Sequence, residues 1–147
     1  LDCAQRGKLD KSCGTRDRPR MMNSVIMVAA GGALGASLRF LWGVGVYRLS
    51  GGPSAFPIAI MGSNILGSFL MGVFVVYAAE RGLTHFGPFV MVGLLGGFTT
   101  FSAFSLETVT MIERGDLLHA SLYMALSVAL SVGALMLGLW LTRGALA

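Results

Sequence analysis

The sequence predicts an all-α membrane protein of four transmembrane helices, and three observations carry that reading. Of its 147 residues, 54% are hydrophobic and only 12% are charged, and the mean hydropathy is +0.73. Soluble domains are poorer in apolar and richer in charged residues. Four apolar runs of 24 to 26 residues follow one another, at 24–47, 56–79, 88–112 and 117–142. Each is long enough to cross a hydrocarbon core of about 30 Å with some tilt. The connectors between them are short, so a single domain over 21–147 is expected, with its function inside the bilayer.

Residues 1–20 stand apart. They hold six of the eleven basic residues and both cysteines, Cys3 and Cys13. They are polar, without an apolar period, and end at Arg18-Pro19-Arg20 before Met21-Met22. Two readings stay open: a disordered basic tail, or a start assigned too early, with Met21 or Met22 the true one. A secretory signal does not fit, because the apolar run that follows is too long and lacks a small-residue cleavage site. Since the formal charge of +4 is concentrated here, it gives no reason to expect a nucleic-acid partner.

The first run is interrupted only by Arg39, about 12 Å of helix from its end at 1.5 Å per residue. A charge at that depth faces a protein interior or a watery vestibule, or snorkels to the interface. Gly51-Gly52-Pro53 breaks the chain before the second run. Asn64, inside Gly62-Ser63-Asn64-Ile65-Leu66-Gly67, is the one amide of that run. It suits donation to an anion and equally a bond between helices. Small residues recur four apart at Gly31/Gly35, Ser63/Gly67, Ser68/Gly72 and Gly93/Gly97, a spacing that lets helix backbones approach closely.

The third run contains Gly96-Gly97-Phe98-Thr99-Thr100-Phe101-Ser102-Ala103-Phe104-Ser105. Its glycines and threonines make poor helix in mid-membrane, so a break near the middle is expected there. Backbone groups freed by a break need protein, water or an ion as partner. The competing reading is a continuous, glycine-rich packing helix. Phe101 and Phe104 share one helical face; they either meet lipid or turn their electropositive ring edges toward an anion. Glu107, the one acid well inside a run, is suited to titrating, to pairing with Arg39, or to lining a vestibule. In the fourth run Tyr123, Ser127 and Ser131 recur every four residues, which aligns three hydroxyls as helix-bridging groups or as a hydrated track. His85 and His119 are read as lying in connectors, solvated and not catalytic. No phosphate loop, metal-binding histidine pair or nucleophile elbow is present, so no enzyme is expected.

From Met21 onward, one membrane face carries Arg81 and Arg143 and the other Arg48 and Arg114. Two against two is no orientation bias, which allows insertion both ways and an antiparallel, dual-topology homodimer. The six charges of residues 1–20 oppose this, because they would hold the N-terminus in the cytoplasm.

Together these residues resemble the CrcB/Fluc family of fluoride channels. The resemblance covers essentially 24–142 and rests on Gly31-Gly32-Ala33-Leu34-Gly35-Ala36-Ser37-Leu38-Arg39, on the Asn64 motif extended through Ser68-Phe69, and on the third-run signature. It implies an antiparallel homodimer in the bacterial inner membrane that passively exports fluoride and lowers its toxicity. Phe101 and Phe104 would be the pore phenylalanines, Asn64 the anion-binding amide, and Tyr123, Ser127 and Ser131 the polar track. Arg39 and Glu107 would stand at vestibules. A structural sodium ion would be held at the dimer centre by backbone carbonyls of Gly96 and Thr99. One departure is Ala59-Ile60, where the family often has glycine and threonine; it weakens the case for the Glu107 end of the route. The alternatives are a four-span dual-topology multidrug exporter, whose first-helix acid is replaced here by Arg39, and a non-transporting assembly protein.

Overall fold

The structure is a computed structural model that describes residues 13–52 and 56–146. The expectations for residues 1–12 and for Pro53 lie outside the described residues. Helix α1 spans Cys13–Leu49 and α2 spans Ile58–Glu80. A short 3-10 turn at Thr84–Phe86 leads into a π-helical segment, Pro88–Leu95, continued by one α-helical turn, α3, at Gly96–Phe98. Helices α4, Phe101–Glu113, and α5, Leu117–Leu146, complete the chain.

Four stretches are long and apolar enough to cross a membrane: Met21–Leu49, Ile58–Glu80, Thr84–Glu113 and Leu117–Leu146. They match the four expected runs and extend most of them by a few residues. Helix α1 runs further, because its 37 residues reach back to Cys13. At the ends of the second and third spans, Gly82 and Gly115 adopt φ values of 67° and 81°. This left-handed turn lets Leu83 N–H reach Ala78 O at 2.8 Å and Asp116 N–H reach Met111 O at 3.0 Å, closing helix carbonyls that would otherwise lack donors.

The spans pack as two close pairs. Helix α2 lies along α5, and α1 lies along Pro88–Leu95 and α3. Each seam is cut by glycine. A Cβ on Gly72 would strike Leu135 O, and one on Gly138 would strike Phe69 O. On the other seam, a Cβ on Gly93 would sit 2.9 Å from Gly31 Cα, and one on Gly97 2.9 Å from Gly32 O. Backbone contact this close gives dispersion and Cα–H···O attraction, which drive association where lipid removes the hydrophobic effect.

The buried apolar core is thin. It comprises Val76, Ala78, Leu95, Phe98, Met111, Ala120 and Tyr123, while large apolar groups such as Phe40 and Trp140 are 71% and 70% exposed. An exterior of this kind is stable only against lipid or further protein. The chain is a multi-pass membrane protein.

Candidate ion pathway

The third span is interrupted halfway along Thr84–Glu113. Thr99 and Thr100 leave the helix with φ/ψ of −83°/157° and −152°/118°. Gly96 itself remains helical, at −64°/−35°. The threonines therefore form the break, and of the glycines before it Gly93 and Gly97 serve the seam with α1.

Asn64 accounts for the break. A continuous helix would direct the Thr100 N–H to Gly96 O. Here it donates to Asn64 Oδ1 at 2.8 Å, and Asn64 Nδ2 donates back to Thr100 O at 3.2 Å. The amide reproduces the donor–acceptor pair of a peptide, so two backbone groups are satisfied without a helix. Thr100 then restarts the helix as N-cap of α4, its Oγ1 accepting from Ala103 N–H at 3.2 Å. That N–H would otherwise have bonded Thr99 O. Gly96 O and Thr99 O are thus among the carbonyls that lose their helical donors at the break.

Against the break lies a cavity of about 380 Å³. Asn64, Thr100, Phe101, Phe104, Ser127 and Ser131 are among its lining residues. None of the lining side chains carries a charge. The structure thus brings five of the six expected pore residues to one cavity. The sixth, Tyr123, is fully buried just behind it, with its ring 5.3 Å from that of Phe104. Phe104 lies 5.4 Å from Phe101 in turn, and Phe101 is 78% exposed. Tyr123 Oη and Ser127 Oγ are both buried, and among the described residues neither has a hydrogen-bond partner. Buried hydroxyls without partners are costly unless a water or a ligand reaches them.

The N-terminus of α4 meets the same cavity, since Phe101 begins that helix. Its first amides and the helix dipole favour negative charge. Uncharged donors, ring edges and a helix N-terminus together can attract an anion without trapping it as a lysine or arginine would.

Glu107 and Arg39 lie elsewhere. Glu107 lines a second cavity of about 250 Å³ with Tyr47, Ser50, Phe56 and Ile60. Arg39 lines a separate groove with Tyr47 and Arg48. His119 lies in the first turn of α5 and not in a connector, its Nδ1 2.7 Å from Asp116 Oδ1 at the exposed start of that helix. Glu107 and Arg39 are not brought together. His85 packs against Phe86 with ring centroids 4.1 Å apart and planes tilted by 42°.

Sequence reasoning placed Thr100 in the break but missed its roles as N-cap of α4 and partner of Asn64. The signal was available, because a threonine just before an apolar run is an N-cap candidate. It also passed over Gly138, although Ala134 four residues earlier gives it the same small-residue spacing.

Residues 26–139 match the family described as CrcB-like protein, Camphor Resistance (CrcB). A fluoride-specific ion channel FluC of Roseobacter denitrificans is 70% identical over 123 residues, which is 84% of this chain and 98% of the relative. One from Ruegeria sp. is 60% identical over 126 residues, 86% of this chain and 99% of the relative. One from Rhodospirillum centenum is 47% identical over 128 residues, 86% of this chain and all of the relative. With the break, its asparagine and the phenylalanine pair on a matched stretch of this length, the chain belongs to the CrcB family.

Proposed function

We infer that this protein is a fluoride-specific ion channel and not an enzyme. The observation that carries the reading is the uncharged cavity at the break, where Phe101 and Phe104 face Asn64 and the unpartnered Ser127 hydroxyl. An exporter of cationic drugs would need a carboxylate in its binding cavity, and this one has none. The named relatives, similar along nearly their full length, point the same way.

Fluoride would move passively. Neutral hydrogen fluoride enters a cell, dissociates in the more alkaline cytoplasm and leaves a trapped anion. A membrane that is negative inside drives that anion out by about 2.3 kcal/mol per 100 mV. Along the route, Asn64 holds the break open, ring edges of Phe101 and Phe104 offer positive charge density, and rotatable hydroxyls of Tyr123, Ser127 and Ser131 donate in turn. Arg39 raises anion concentration in a vestibule, while Glu107 lines the cavity beyond Tyr123.

The working unit in this reading is an antiparallel homodimer in the bacterial inner membrane. Two features support it: the even split of Arg81 and Arg143 against Arg48 and Arg114, and the exposure of Phe101 on a single protomer. The donor set also fits a structural sodium ion. Gly96 O and Thr99 O are uncharged oxygens without their helical donors, and hard cations take such ligands. A sodium ion bound there would bring neutralising charge to these carbonyls and tie two breaks together.

Purified protein in liposomes, with a fluoride electrode and a potassium diffusion potential, tests the function. Fluoride efflux with negligible chloride efflux is expected. No fluoride efflux from monodisperse protein refutes the channel, and fast chloride efflux refutes its selectivity.

A further inference from the structure

Tyr123 is 0% exposed, yet among the described residues its hydroxyl makes no full hydrogen bond, only a weak approach to Ser127. Apolar packing sets its ring. Met111 and Ala120 are buried with it, and Phe56, Met61 and Phe104 close around them. Among these, two rings clamp the tyrosine. Phe104 lies tilted at 35° with centroids 5.3 Å apart, and Phe56 lies at 89° with centroids 5.5 Å apart. A perpendicular pair at this distance is the favourable edge-to-face arrangement, and it resists rotation of either ring.

Phe56 also lines the cavity that holds Glu107. Phe104 lines the cavity at the break. Phe101, Phe104, Tyr123 and Phe56 therefore form one chain of rings running from the first cavity to the second. Tyr123 is the enclosed member, and Phe56 stands between it and the Glu107 cavity. Ser127, the other unpartnered hydroxyl, is one helical turn further along α5.

We propose that Phe56 is a positioning residue for anion passage, its perpendicular ring holding the unpaired Tyr123 hydroxyl in line with that of Ser127. The inference rests on the channel reading above, because it assumes that anions pass the Phe104–Tyr123 pair. The Phe56 side chain contributes no polar atom. Its effect is exerted through Tyr123, which sets it apart from a phenylalanine that merely fills the core.

The test is a double-mutant cycle in liposomes, using fluoride efflux from wild type, Phe56→Leu, Tyr123→Phe and the double variant. Wild-type efflux is read first, and its absence defeats the channel reading itself. Given wild-type efflux, Phe56→Leu and Tyr123→Phe should each slow fluoride by about tenfold, and the double variant should be no slower than Tyr123→Phe alone, because both act on one hydroxyl. Phe56→Tyr, which keeps the ring, should restore most of the rate. Wild-type flux in Phe56→Leu, or a double variant slowed by the product of the two single effects, overturns the proposal while leaving the channel intact. If leucine at 56 prevents assembly, Phe56→Met enters the same cycle and is judged by the same criteria.

Discussion

The two halves of the third span, on either side of Thr99-Thr100, are built on opposite terms. Residues 88–98 lie against α1 with glycine on both sides of the seam, so closely that a Cβ on Gly31 or Gly35 would strike the carbonyls of Phe89 or Leu94. Helix α4 packs lightly on α5 and α2 and leaves Phe101 and Leu106 78% and 67% exposed. The first half is held mainly by α1. The second is packed on one side only, and the phenylalanines, the restarted helix and the buried hydroxyls gather beside it. Packing accounts for the sequence of the first half; in the proposed channel, a passing ion and a second protomer would account for that of the other.

The junction is the most sensitive point of that contrast. Asn64→Leu removes both bonds to Thr100 and leaves a backbone N–H and a carbonyl unpaired. A cost of about 2–6 kcal/mol is expected, together with loss of fluoride flux. Thermal unfolding in detergent and liposome efflux check the two effects, and an unchanged melting temperature would mean that the break does not depend on the amide. Next, on the packed half, Gly93→Ala places a Cβ 2.9 Å from Gly31 Cα and Val28 O. The net loss should be about 1–3 kcal/mol, since overpacking outweighs the gain in helix propensity. Greater stability in the same unfolding assay would show that the seam is slack.

Neutralising Arg81 and Arg143 together tests whether an inverted partner completes the loose half. One orientation should come to dominate in C-terminal reporter fusions, with less dimer on size exclusion. A single orientation already present in the unaltered protein would break that part of the account. The smallest effect is expected at Thr110 on the loose half, whose hydroxyl bonds only Leu106 O one turn back. Thr110→Ala should shift stability by less than about 0.5 kcal/mol.

Much of this contrast was legible in the sequence. Four apolar runs gave the spans, and threonines following a glycine pair marked the break. Seam glycines were visible wherever both members stood four apart on one helix. Gly138 was passed over despite Ala134 four residues before it, and spacing along α5 could not say that its neighbours belong to α2. The π-helical form of Pro88–Leu95 was likewise hidden, since an all-apolar stretch has no period to distinguish it from an α-helix. Glu107 and Arg39 were candidates for pairing by depth alone. Which way each faces is decided by packing between helices distant in sequence, and the structure assigns them to different cavities. The Asn64–Thr100 bonds span 36 positions, and no local pattern reports them.

The central claim is that an anion passes the loose half at its phenylalanine pair. Fluoride efflux from liposomes holding Phe101→Ile or Phe104→Ile, prepared from the same size-exclusion peak as wild type, tests it most directly. The account predicts flux slowed by at least about tenfold in each variant with assembly unchanged, a loss of about 1.4 kcal/mol or more in transition-state stabilisation. Wild-type rates in both variants would contradict it and return the two rings to lipid-facing packing.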